Sequence, residues 1–103
     1  MKQQPVPQAA LEDENAIEMM RVWIARKGMH TSLNIGIYEG RKNLTEEKAW
    51  GMLLADAARH VANALEERYG MAGEDALKAI REAMDNELSK PTTEVKGEFI
   101  RRN

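Results

Sequence analysis

From Thr45 to Gly70 the chain has no proline, and apolar residues recur at three- and four-residue steps: Trp50, Leu53, Leu54, Ala57, Ala58, Val61, Ala64 and Leu65. That spacing puts their side chains on one face of an α-helix. Thr45 is a favoured N-cap, and Glu46 and Glu47 suit the positive end of the helix dipole. Gly70 is a natural C-terminal stop. A long helix with one broad apolar stripe must find something to cover it, and this requirement constrains the fold more than any other feature.

A second helix is expected from about Glu74 to Leu88, with Ala76, Leu77, Ile80, Ala83, Met84 and Leu88 as its stripe. Pro91 prevents it running far past Lys90. Upstream, residues 17–26 and 29–38 alternate as a β-hairpin does, and Lys27-Gly28 is the turn signal. A two-residue loop there sets Val22 against Leu33, Met20 against Ile35 and Ile24 against Thr31, which makes one apolar face. The other face then pairs Trp23 with Ser32, Arg21 with Asn34 and Ala25 with His30. A one-residue slip would mix the two faces and is disfavoured.

Residues 92–100 alternate weakly and offer a third strand. A lone hairpin is marginal in water, so a third strand or pairing with another copy would help it. The fold class predicted is α+β in two layers. An antiparallel hairpin of two or three strands packs against two α-helices, in the order β-β-α-α(-β). The expected organisation is a flexible lead over residues 1–16, one domain over 17–100 and a loose tail over 101–103. Pro5 and Pro7 disfavour regular structure in the lead, with at most a short turn over residues 11–15.

Fifteen basic and seventeen acidic residues nearly cancel, leaving a net charge of −2. No segment is a basic stripe, which counts against nucleic acid and anionic membranes as partners. There is no cysteine, so disulfides, thiolate metal sites and cysteine nucleophiles are excluded. The start is polar and proline-bearing, unlike a secretory signal, and no apolar run is long enough to span a bilayer. Cytoplasmic location is the default expectation. Gly70-Met71-Ala72-Gly73 lacks the end of a Walker loop, and neither Ser32 nor Ser89 sits in a nucleophile elbow. No cofactor and no metal is implied.

Two segments, Arg21 to Gly40 and Ala49 to Gly70, resemble a family of small bacterial proteins, mostly alphaproteobacterial, catalogued as domain of unknown function 5076. The stretch from Trp50 to Asn63 is the most specific part. The resemblance implies a free-standing bacterial domain and supplies no catalytic residues.

Asp56, His60, Asn63 and Glu67 share one stripe of the long helix. His60 with Asp56 is the weak candidate for a general acid–base pair, with His30 as the only other histidine. The plain alternative is an ordinary i, i+4 contact on a solvated face. The second sheet face carries Arg21, Trp23, His30, Asn34 and Tyr38, aromatics among polar groups. Aromatics and arginine are enriched at interfaces, so this face is the expected interaction surface. The alternative is that Trp23 is tucked under a terminal segment. Trp50 is expected in the core, its indole N–H needing a partner. Gly51 either permits a close approach or is a tolerated first-turn glycine. Met20 and Met84 fall on core faces, and Met19, Met52 and Met71 on more open ones. The leading reading is a non-enzymatic interaction or self-association module, its partner a second copy or an unidentified protein. The alternative is a small-molecule-binding protein or small enzyme using His60 and Asp56.

Overall fold

The computed structural model describes residues 1–99. Six elements follow one another: α1 (Gln8–Glu12), β1 (Met20–Ala25), β2 (Gly28–Leu33), α2 (Glu46–Tyr69), α3 (Gly73–Ser89) and β3 (Val95–Phe99). The class is α+β and the order is the expected one, with the third strand present. The expected tail, residues 101–103, lies outside the described residues. The chain divides into two compact units: Met1–Ile35 with the residues from Lys96 on, and Gly36–Val95.

In the first unit β1 and β2 run antiparallel, with Met20 opposite Leu33, Val22 opposite Thr31, Trp23 opposite His30 and Ile24 opposite Met29. The two-residue loop is therefore Arg26-Lys27, not Lys27-Gly28. Both loop residues take positive φ, 48° and 62°. A tight hairpin turn of matching twist requires φ > 0 at both central positions. Here non-glycine residues supply it, and Gly28 opens β2 instead. The register differs from the expected one by two residues. Because side chains alternate with period two, each residue keeps its expected face.

The sheet order is β1-β2-β3, which makes β2 central. Gly97 of β3 has φ of 150°, and a Cβ there would overlap the backbone of Thr31, lying 2.7 Å from its carbonyl carbon and its nitrogen. The expected apolar face is only partly covered. Val22, Ile24 and Met29 are exposed, Ile24 to 78%. Cover from a second layer was expected, and the strand unit does not contain one. Its only helix among the described residues, α1, has five residues and buries none. That helix begins straight after Pro7, whose carbonyl accepts from Ala10 and Leu11 at 3.0 and 3.2 Å. Proline is tolerated at a helix start, where no N–H partner is needed, so a lead expected to lack structure holds a helical turn.

In the second unit α2 and α3 pack against each other. Thr45 stands at the N-cap in extended conformation, but its side chain makes no capping bond. Its carbonyl accepts from Ala49 at 2.9 Å. Gly70 ends α2 in the left-handed conformation (φ 70°), its N–H donating to the Glu66 carbonyl at 2.8 Å. The Glu66 carboxylate accepts from Gly73 N at 2.8 Å, satisfying a first-turn amide of α3 from the neighbouring helix.

The buried residues, Ala49, Ala62 and Ala76, all lie in this unit. Ala58, Leu65, Leu77 and Ile80 are half-buried. Ala62 was not in the expected stripe. α2 is turned so that Ala58, Ala62 and Leu65 are covered, roughly a quarter turn from the line through Leu54, Ala57, Val61 and Ala64. Those four residues are exposed, as are Met84 and Leu88 of α3. Met84, expected in the core, is 40% exposed. Gly51 is exposed, and a Cβ there would meet nothing within 4 Å, which fits the tolerated first-turn glycine.

Gly97→Ala is expected to separate β3 from β2 without unfolding the hairpin. Amide exchange should speed up over residues 95–99 and stay slow across the β1–β2 pairs. Unchanged protection of β3 would show that the close approach to Thr31 is not needed.

Candidate functional site

Trp23 and His30 are cross-strand partners and both are half-buried. Arg21 lies on the same face opposite Ser32, one step along the ladder. Its guanidinium is tied to Glu18, Nη2 lying 2.8 Å from Oε2, in an exposed pair. Exposed pairs of this kind contribute little to stability, but this one fixes where the charge stands beside Trp23. Asn34 follows the end of β2. Its N–H donates to the Met19 carbonyl at 2.9 Å, and its side-chain amide to the Glu18 carbonyl at 3.5 Å.

Tyr38 does not share this face. β2 ends at Leu33, and Tyr38 stands in a run of turns within the second unit. The Arg41 guanidinium lies over its ring, 5.0 Å from the centroid. The face that the strands assemble is therefore Arg21, Trp23, His30 and Ser32, with Asn34 at its end.

The Asp56 carboxylate pairs with Arg59, one turn along α2. His60 is exposed. Among the described residues no three histidine or acidic side chains are grouped to hold a metal ion. An open cleft of about 630 Å³ lies where α2 turns into α3, with Arg59, Asn63 and Glu66 on one wall and Gly73, Glu74 and Leu77 on the other. Glu66, one of its two acids, is already engaged in capping α3.

Reading the sequence did not single out the role of Glu46. Its carboxylate accepts from Gly36 N at 2.7 Å, Tyr38 N at 2.8 Å and the Trp50 indole N–H at 3.2 Å. The need for an indole partner was legible; its identity was not. Glu46 is half-buried and sits in the first turn of α2, where the helix dipole favours a carboxylate. It ties the turn after the hairpin to the helix. The neighbouring Glu47 carboxyl is held below the usual 4.5 by its own backbone amide and by the Thr45 hydroxyl. At the far end, Glu87 accepts from the Thr92 hydroxyl at 2.6 Å and the Thr92 amide at 3.0 Å. These two bonds, the hydroxyl first, hold the Glu87 carboxyl below 4.5.

No helix among the described residues is long and apolar enough to cross a membrane. The ββααβ order and the hairpin define a small α+β domain. The chain belongs to the family described as domain of unknown function 5076, whose model matches residues 3–92. No curated protein matches it. It is similar to a solved structure from the photosynthetic bacterium Rhodopseudomonas palustrus CGA009, described provisionally as a pyruvate dehydrogenase. The two chains are 29% identical with a TM-score of 0.65, and the match covers 100% of this chain and 96% of the other.

Two outcomes are expected. Glu46→Ala removes an acceptor shared by three donors and should destabilise the protein by about 2 kcal/mol in urea unfolding, with Glu46→Gln costing about half that. A loss below about 0.5 kcal/mol would mean that other contacts hold the turn. The Glu87 carboxyl is depressed in the folded state, so its contribution is present above pH 4.5 and is lost as pH falls through the lower folded value. The protection of the Thr92 amide, relative to its intrinsic exchange rate at each pH, should therefore fall only in acid, and Glu87→Gln should remove that pH dependence.

Proposed function

We propose that this chain is a non-enzymatic self-association module whose partner is a second copy of itself. One observation carries the reading: the buried residues among those described are three alanines, and no larger side chain is fully covered. Val22, Ile24 and Met29 on the strands and Leu54, Val61, Met84 and Leu88 on the helices stay open to water. Exposed apolar surface on this scale marks an interaction surface. In the strand unit the reading places association on the face of Arg21, Trp23, His30 and Asn34, opposite the one lined by Val22, Ile24 and Met29, because aromatics and arginine are the residues enriched at interfaces. Burial of Trp23 supplies the apolar contact, and the others form a polar rim. Tyr38, placed in the other unit, is not needed for it.

The printed description of the solved relative is said of that protein. The reading also takes the source as bacterial, supported by the organism of that relative. It takes the location as cytoplasmic, in keeping with a cysteine-free chain that needs no oxidising compartment. The net charge of −2 gives nucleic acid little to bind.

Native mass spectrometry of the purified protein should give a dimer. Trp23→Ala should keep the helical signal in circular dichroism and shift the dimer–monomer equilibrium at least tenfold toward monomer. A folded variant that associates as well as the parent would remove Trp23 from the interface.

A further inference from the structure

The exposed line on α2 has a regularity of its own. Trp50, Leu54, Ala57, Val61, Ala64 and Arg68 recur at alternating steps of four and three, the spacing of a helix–helix seam. Trp50 is half-buried, while Leu54, Ala57, Val61 and Ala64 are exposed. α3 packs on α2, and the covered residues in this part of α2 are Ala58, Ala62 and Leu65, roughly a quarter turn from the line. From the described contacts, α2 thus has two working faces: one for α3, the other unpartnered.

Resting on the self-association reading, we infer that this second face pairs with the same face of α2 in another copy, antiparallel, about a two-fold axis near Ala57. Charge selects the direction. The line is flanked by the exposed Glu47 at its N-terminal end and closes on Arg68 at its C-terminal end. A parallel pair would set acid on acid and arginine on arginine. An antiparallel pair sets the acidic end of each helix against the arginine of the other, and it also opposes the two helix dipoles. Size agrees with charge. Near the middle the line carries two large residues, Leu54 and Val61, and two small ones, Ala57 and Ala64. With the axis near Ala57 the small residue of one copy lies over the same residue of the other, so the backbones can close there, and Leu54 of each copy meets Val61 of the other on either side. The symmetry is isologous: one patch serves both copies.

The chain has no cysteine, so single cysteines report geometry cleanly. Ala57→Cys, next to the axis, is expected to form a covalent dimer under mild oxidation. Glu47→Cys alone is expected not to, because the two copies of that position would lie about 32 Å apart along the seam, twenty-one residues at ~1.5 Å each. A mixture of Glu47→Cys and Arg68→Cys proteins should form the heterodimer. Val61→Asp should abolish the dimer while leaving α-helix content unchanged.

The outcomes separate. A monomer by native mass spectrometry would overturn both the association reading and this seam. A dimer in which Ala57→Cys does not cross-link and Val61→Asp still associates would overturn the seam and leave association standing. A dimer in which Glu47→Cys cross-links to itself would overturn the antiparallel direction.

Discussion

Alanine at the contact between α2 and α3 is the constraint on which the helical unit depends. A side chain as small as Ala62 or Ala76 lets two helices approach closely, and their last and first turns can then share partners such as Glu66. The same choice limits what the contact can contribute. Burying a leucine stabilises by about 1.5–3 kcal/mol, and a methyl group by a fraction of that. Close packing without bulk makes a well-defined hairpin but a thin core. The apolar mass of both helices, Leu54, Val61, Met84 and Leu88, is left outside it. A helix pair built this way is half of a structure in the thermodynamic sense: its geometry is set internally and most of its hydrophobic area is not yet spent.

The strand unit shows the same pattern by a different route. Its hairpin is set by backbone requirements, two positive-φ residues at the turn and a glycine where β3 passes Thr31. None of these buries a side chain. Backbone hydrogen bonding can define a three-stranded sheet, yet a sheet gains its stability from what its faces pack against. One face offers Val22, Ile24 and Met29, the other Trp23 with its polar neighbours. Both units therefore have specific local geometry and incomplete cores, and association is the physical process that would complete them.

Much of this was legible in the residues, and the failures are instructive. Helix limits were readable because caps and stops act locally: Thr45, Gly70 and Pro91 act through their own backbone. Strand parity was readable because alternation has period two. The register was not, because glycine is the residue most able to adopt positive φ and so marks the turn in a sequence, while Arg26 and Lys27 adopt it here. The face of α2 that α3 covers was not readable either. An apolar stripe spanning eight residues is wider than one neighbouring helix can cover. Periodicity marks the whole stripe, while only tertiary contact says which quarter is used. Glu46 was legible as a dipole partner and not as the acceptor for Gly36, Tyr38 and Trp50. Two of those donors are backbone amides in a turn, and no side chain announces them.

The candidate acid–base pair marks where sequence spacing stops being informative. Asp56 and His60 stand one turn apart, as do Asp56 and Arg59, and the guanidinium takes the carboxylate. A charged donor with a planar fork matches an exposed carboxylate well. His60 is thereby left on an open helix face, where nothing excludes water. General acid–base work profits from a sheltered site and a perturbed partner. The polar groups in the most connected positions do something else: Glu46 gathers a turn, Glu66 caps a helix and Glu87 caps the segment after α3. Each of these carboxylates is spent on backbone amides. These three acidic side chains hold the chain's local geometry while Leu54, Val61, Met84 and Leu88 stay open to water, and it is this uncovered apolar surface on which the proposed association rests.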